Sequence, residues 1–413
     1  MTRDRFFMIR SAIHVVNDTD VTAENKANDK LWKVRPVIDK FRETVLKIPR
    51  QKEASIDEQM IPFTGHVVFR QFVPRKPNPT GLKNYVLSSK NGLILDFEVY
   101  QGKVTTRLPA EINAQLRLGT GGRAVMRLSE TCLPGTNLYF DRYFTGLALL
   151  EALRAKGISG TGTTMKNRLP NINFKSDAEL SAEGRGSCDI KIRDDEKVLA
   201  LKWVDNKVIT LASTRHGAEP FTPARRYSRA DREYIQIQMP EIVSQYNLNM
   251  GGVDLHNRML AHYRSYHRTN KWPVRFMEHF LDMACVNSWI TYKDDQQARH
   301  TPKKDVMDMH FFKMRLSQLL ILGVDPSADT KDSDDEQPPR KKLAGRPGNV
   351  SLPPREVRIK QALHLPQAMD LSSAPRCRNP GCKARSRIKC LRCQVFLCVS
   401  KERNCFIEFH RNG

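Results

Sequence analysis

The last 37 residues of this 413-residue chain confine its fold more than any other stretch. Ligand-type side chains run through them as C-x4-C-x7-C-x2-C-x4-C-x6-C-x4-H: Cys377, Cys382, Cys390, Cys393, Cys398, Cys405 and His410. So short a segment cannot bury enough apolar surface to fold unaided. The other three cysteines, Cys132, Cys188 and Cys285, are scattered, and an odd count crowded at one end reads as metal binding before disulfides. A closed structural Zn²⁺ site takes four Cys or His ligands, so seven candidates exceed one site and fall one short of two. The spacing predicts an interleaved module holding two structural zinc ions. Its eighth ligand is unassigned, with His364 a distant candidate.

Basic residues interleave with these ligands, nine Lys and Arg against Glu402 and Glu408, within a chain whose 68 Lys+Arg and 45 Asp+Glu leave a net charge of +23. Such density suits phosphate, so double-stranded DNA is the expected partner, with Arg385, Arg387, Lys389 and Arg392 as candidate contacts. The interleaved pattern resembles RING and PHD cross-braces, and a peptide-binding role stays open beside the DNA one. No apolar run approaches the roughly 20 residues that cross a bilayer, and no basic amphipathic helix with an aromatic face stands out. The start, MTRDRFFMIR, lacks the apolar core of a signal peptide. No membrane partner and no secretion are expected.

Residues 326–376 hold 8 of the 23 prolines, an acidic run at Asp332, Asp334, Asp335 and Glu336, and Pro338-Pro339-Arg340-Lys341-Lys342. This reads as a solvated linker whose basic run has the form of a nuclear import signal, so the nucleus is the expected location. Gly345-Arg346-Pro347-Gly348 contains the core of a minor-groove hook. Ahead of the linker, an apolar content of 40% excludes a wholly disordered chain. Phe6, Ile9, Ile13, Val37, Phe41 and Val45 recur at helical spacing. From Ser55 to Val99 the pattern is that of an antiparallel meander, with strands at 55–61, 67–73, 85–88 and 93–99 and a turn at Asn91-Gly92. A strand at 137–141, a helix at 146–155 and a strand at 158–165 follow. The polar stretch 168–239 reads as an insertion with a hairpin at 199–212. Helices resume from Val253, through a segment with Pro273 in its first turn, to a last helix that ends at Gly323.

Three acids sit where strands end or helices begin: Asp57, Asp141 and Asp254. Singly, each has an ordinary structural role, Asp254 as a helix cap and Asp141 as a turn acid. Together in a basic chain they point to divalent metal. In phosphodiester transfer, two Mg²⁺ ions about 3.5–4 Å apart activate the attacking oxygen and stabilise the leaving one, and hard carboxylate oxygens supply such a site.

The words around these acids are more specific. Ser55-Ile56-Asp57-Glu58-Gln59-Met60-Ile61-Pro62-Phe63-Thr64-Gly65, Asp141-Arg142-Tyr143-Phe144-Thr145, Met250-Gly251-Gly252-Val253-Asp254, Asn270-Lys271-Trp272-Pro273 and the terminal cysteine cluster occur in that order. The chain thereby resembles the piggyBac transposase family over nearly its whole length. The resemblance implies an α/β fold with a ribonuclease-H-like catalytic core split by an inserted domain, a flanking helical domain and a C-terminal Cys-rich zinc module. Residues 1–52 and 264–325 would form the helical dimerisation and DNA-binding domain, 53–167 and 240–263 the core, 168–239 the insertion, 326–376 the linker and 377–413 the zinc module. It further implies a homodimer that cuts and rejoins DNA at TTAA sites through hairpin ends. Asp57, Asp141 and Asp254 would hold catalytic Mg²⁺, and Trp272 would meet an unpaired DNA end. Two departures stand out. A fourth family acid, one helical turn after the third, is replaced here by Asn257, an amide that brings no charge to a metal. The sequence also enters the family pattern inside the helical domain, without the usual acidic N-terminal region. Three outcomes follow: an active or domesticated transposase, a catalytically impaired nuclear DNA- or chromatin-binding protein with the same architecture, or a nuclease that does not join.

Overall fold

A computed structural model describes residues 2–74, 76–102, 105, 118–229, 232–265, 268–323, 364–400 and 402–411. They belong to two units that divide between Asp329 and Thr330. The import-signal and hook motifs of the expected linker lie outside the described residues.

The first unit is a mixed α/β body. It opens with helices α1 (Arg3–Ala12), α2 (Ala23–Asn28) and α3 (Arg35–Leu46). Thr2 and Thr22 accept backbone N–H groups to start the first two, and Pro36 sits in the first turn of the third, where no N–H is needed. Strands β1 (Glu53–Pro62), β2 (Gln71–Phe72), β3 (Thr80–Ser89) and β4 (Ile94–Val99) follow. The β1–β3–β4 part is the antiparallel meander that the alternation predicts. Its β3–β4 turn uses Gly92 at φ +90°, a conformation that glycine tolerates best. The expected strand at 67–73 shrinks to two residues because Val67–Arg70 turns instead: Arg70 N–H donates to the Val67 carbonyl at 3.1 Å, and Phe69 sinks into the core.

Helix α4 (Thr120–Ser129) has no counterpart in the sequence reading, since Gly121 and Gly122 depress helix propensity in its first turn. Gly121 is there for space: a Cβ would lie 2.9 Å from the Tyr143 ring. Next come β5 (Asn137–Phe140), α5 (Leu147–Ala155) and β6 (Ser159–Thr163), with β5 parallel to both β1 and β6. After α6 (Asp177–Ala182), strands β7 (Cys188–Ile192), β8 (Leu199–Val204) and β9 (Val208–Ser213) extend the same sheet, because β9 pairs antiparallel with β6. The sheet order is β2-β3-β1-β5-β6-β9-β8-β7, with β4 on β3. Strands β10 (Thr222–Ser228) and β11 (Glu233–Met239) form a separate two-stranded ribbon. Helices α7 (Glu241–Asn249), α8 (Gly252–His262), α9 (Trp272–Ala298) and α10 (Met309–Leu322) complete the unit. Gly323, at φ +71°, closes α10.

Packing follows the apolar spacing. Phe276 and Phe280 of α9 stack at 4.4 Å, and Phe280 meets Phe97 of β4 at 4.9 Å and Phe41 of α3 at 5.3 Å. The N-terminal helix α3 and the late helix α9 are thus sealed onto one core. Among the described residues no helix is long and apolar enough to cross a membrane.

In the second unit, β12 (Pro366–Ala368) pairs antiparallel with β13 (Ile388–Cys390), and α11 (Cys405–Arg411) ends the described chain. Its apolar core is small: Val395, Leu397, Phe406 and Phe409 among the cysteines.

Candidate active site and metal centres

Parallel pairing of β1 with β5 builds the acidic site. Ile56 faces Phe140 across the ladder, so the next residues, Asp57 and Asp141, leave adjacent strands at the same level. Asp57 Oδ1 accepts the backbone N–H of Glu58 at 2.7 Å, and Asp141 Oδ1 accepts that of Tyr143 at 2.9 Å. Glu58 joins them. One carboxylate oxygen from each of Asp57, Glu58 and Asp141 lies within 4.8 Å of the others. Asp57 and Glu58 are each only 9% exposed.

Burial pushes the Asp57 carboxyl well above the usual range against the pull of Lys76, with Glu58 and Asp141 adding to the rise. Burial and Glu58 raise Asp141 as well. Lys76 lies 3.7 Å from Glu58 Oε1. Its own burial works to lower its pKa, but Asp57, Glu58, Asp254 and Asp141 together raise it. Glu58 Oε2 is buried without a hydrogen-bond partner. Three crowded carboxylates, one oxygen of them orphaned, form a donor set that fits a divalent cation with hard oxygen ligands.

Asp254 stands outside that 4.8 Å cluster, exposed in the first turn of α8. Its closeness to the site comes from Gly252. A Cβ there would lie 2.2 Å from the Ser89 carbonyl oxygen, 2.5 Å from Ser88 Oγ and 2.9 Å from Ser55 Oγ, so only glycine lets the helix start rest on β1 and β3. Two neighbouring histidines act as core residues or surface groups. His256 is buried with Nδ1 2.8 Å from the Gly92 carbonyl, whereas His262 is exposed.

Asn257 ends a polar chain whose direction is fixed by chemistry. Arginine only donates, so Arg264 Nη2 donates to His279 Nδ1 at 3.1 Å, and the proton of that neutral ring sits on Nε2. Nε2–H then donates to Gln59 Oε1 at 2.9 Å, and Gln59 Nε2 donates to Asn257 Oδ1 at 2.7 Å. The Asn257 oxygen is therefore already an acceptor. One lone pair of that oxygen is thereby used, and the neutral amide brings no charge to a metal. Trp272 is half-buried, its ring edge-on to Phe69 at 5.3 Å and to Phe276 at 6.3 Å.

The tail collects two four-ligand sets. Cys377, Cys382, Cys398 and Cys405 form one; His364, Cys390, Cys393 and His410 form the other. The chain passes from the second set to the first and back, twice, so the sets interleave and His364 completes the second. His364 Nδ1 lies 3.5 Å from Cys390 Sγ and 3.4 Å from Cys393 Sγ, and His410 Nε2 lies 3.5 Å from Cys393 Sγ. His410 Nδ1 lies 2.6 Å from the Phe406 carbonyl; donating there would fix the ring and leave Nε2 as the ligand atom, as is usual for a metal-bound histidine. Cys382 and Cys398 Sγ are 4.0 Å apart, against about 3.8 Å for two thiolates on a tetrahedral Zn²⁺ with 2.3 Å bonds. Burial, with Cys377 and Cys382 alongside, pushes the Cys398 thiol up to about 12, a penalty that a cation would reverse. Arg385, Arg387 and Arg392 are exposed, and Lys389 is half-buried with its ammonium 5.8 Å from the Phe396 ring centre.

Glu58, Lys76 and the Gln59–His279–Arg264 chain were missed in the sequence. Glu58 was legible as the acid beside Asp57. The polar chain was not, since its members are up to 220 residues apart.

A family model described as Transposase IS4 matches residues 1–289. The chain belongs to this transposase family, in its piggyBac branch. It is 29% identical to the human PiggyBac transposable element-derived protein 3 over 415 aligned residues, 99% of this chain and 63% of that protein. It is 30% identical to the human PiggyBac transposable element-derived protein 2 over 296 residues, 70% of this chain and 48% of that protein. The chain thus spans less than two thirds of the length of either relative. Its fold is similar to that of a piggyBac transposase solved by cryo-electron microscopy as a synaptic complex with hairpin DNA, with a TM-score of 0.63 at 19% identity, covering 96% of this chain and 78% of that one.

Proposed function

We propose that the protein is a piggyBac-type DNA transposase or a domesticated derivative, which binds transposon-like DNA ends as a homodimer in the nucleus and cuts and joins DNA at TTAA sites. The observation that carries the reading is the packed cluster of Asp57, Glu58 and Asp141 at the ends of parallel strands. We read the sheet around it, three antiparallel strands continued by two parallel ones, as the ribonuclease-H-like core, with the other domains divided as the family pattern implies. Mg²⁺ bound by Asp57 and Asp141, with Asp254 nearby, would polarise a phosphodiester and activate the attacking oxygen. The chain's own part is to hold the carboxylates in register, to keep Lys76 beside them for phosphate charge, and to fix α8 through Gly252. Zn²⁺ in the two tail sets would be structural, and Arg385, Arg387, Lys389, Arg392 and Trp272 are the proposed DNA contacts. A second copy would cover apolar side chains such as Leu320 and Ile321, which are 78% and 81% exposed.

An uncharged amide at Asn257, its Oδ1 already accepting from Gln59, favours a second reading, a DNA-binding protein that keeps the architecture with impaired strand transfer. One assay separates the two. Purified protein with Mg²⁺ or Mn²⁺ is incubated with DNA carrying transposon ends and TTAA targets. Nicking that Asp57→Ala abolishes supports the transposase, cleavage without joining marks a nuclease, and salt-sensitive binding without cleavage sinks the catalytic reading.

A further inference from the structure

The β10–β11 ribbon carries a surface that none of the proposed contacts uses. Its ladder pairs Arg225 with Gln236 and Tyr227 with Tyr234. Since strand residues alternate faces, Arg225, Tyr227, Tyr234 and Gln236 stand on one side, and all are exposed, as are Arg229 and Arg232 at the turn. The other side is anchored: Ala224 and Ile237 are buried in a cluster with Trp203, whose indole N–H donates to the Gln238 carbonyl at 2.9 Å. Arg226, on that inner side, bonds Asp205 at 2.9 Å.

The outward face is organised. Tyr227 and Tyr234, 49% and 60% exposed, meet edge-on at 5.3 Å. The Arg225 guanidinium lies 4.0 Å from the centre of the Tyr234 ring, so it is held in place before any partner arrives. Three arginines flank the tyrosine pair. Of the hairpin's two acids, Glu233 lies on the same side of its strand as the inward Ile235 and Ile237, and Asp231 lies outside the described residues. A rigid, cationic, aromatic face on a two-stranded ribbon matches a phosphate-lined groove, because the major groove of B-DNA admits such a ribbon.

We propose that this face is a docking surface for duplex DNA, with Arg225, Arg229 and Arg232 on phosphates and the tyrosine pair against the groove wall. It rests on the DNA-binding reading above and adds a contact surface distinct from the acidic cluster and the tail. Fluorescence anisotropy of the full-length protein on a labelled duplex, between about 50 and 200 mM salt, tests it. Substitution of all three arginines by glutamine leaves the anchored inner face intact, and a melting curve verifies that. Each phosphate contact contributes about 0.9 to the slope of log affinity against log salt, so the triple variant is expected to lose about 2 to 3 from that slope, and Tyr227→Ala with Tyr234→Ala to weaken binding with the slope kept. A triple variant that keeps the wild-type slope while the wild type still binds overturns the ribbon surface alone. Wild-type protein that fails to bind duplex overturns the DNA reading and the surface with it. A preference for single strands that only the tyrosine variant removes overturns duplex docking.

Discussion

Replacing Gly252 by alanine puts the strongest strain on the link between fold and site. The added Cβ would sit 2.2 Å from the Ser89 carbonyl oxygen and 2.5 Å from Ser88 Oγ, and one of these is backbone that cannot rotate away. Ordinary contact is restored only if the start of α8 lifts by about 1 Å from β1 and β3, which disturbs a close-packed boundary at about 1–3 kcal/mol. The melting midpoint of the first unit should fall by about 2–4 °C for each kcal/mol. Asp254, two residues along the same helix, moves with it, and a misplacement of about 1 Å at a catalytic group costs roughly a hundredfold in rate. Gly251 is the internal control, since a Cβ there meets nothing within 4 Å and its φ is −77°. The assay pairs thermal melting with metal-dependent cleavage of end-bearing DNA for both alanine variants. If Gly252→Ala matches Gly251→Ala in midpoint and in rate, the helix is not held by this contact and the argument for Asp254 fails.

Zinc content by elemental analysis should be two per chain and fall to about one in His364→Ala, whereas a ratio that stays at two removes His364 from the second set. Burial depresses His256 from 6.5 to about 4 and sends His279 well below its ordinary value. His256 therefore contributes about 3 kcal/mol of stability that is present above pH 6.5 and lost as pH falls toward 4. His256→Asn should remove that share of the slope, and an unchanged pH profile of melting would refute it. Asn257→Asp lets one oxygen keep the Gln59 bond and turns the NH₂ group into a second, charged oxygen, so Mn²⁺ affinity measured by calorimetry should rise by about tenfold or more, the equivalent of roughly 1.4 kcal/mol. Equal affinity in the two forms would mean that position 257 does not reach the metal.

Much of the architecture was open to reading. The meander turns on Asn91-Gly92, Pro273 sits in the first turn of α9, and Gly323 ends α10 where the sequence predicts. What escaped depended on partners far away in the chain. Asp57 and Asp141 are 84 residues apart, which is also the offset of the β1–β5 register, Glu53 opposite Asn137; without the pairing, that number carries no meaning. Helix α4 hid behind two glycines whose reason is the Tyr143 ring. His364, 13 residues ahead of the first tail cysteine, was legible only as a distant candidate, and the β12–β13 pairing, which sets Pro366 opposite Cys390, brings it to Cys390 and Cys393. Asn257 reads in sequence as a weakened metal ligand; the structure adds that its oxygen already accepts a hydrogen bond from Gln59.

The central claim is that Asp57, Glu58 and Asp141 hold a divalent cation. Electron paramagnetic resonance of Mn²⁺, titrated into zinc-loaded full-length protein at neutral pH, measures this directly. The wild type should show saturable loss of the free-ion signal, and Asp57→Asn and Asp141→Asn a much weaker loss at unchanged melting temperature. Binding of equal strength in all three proteins would contradict the claim.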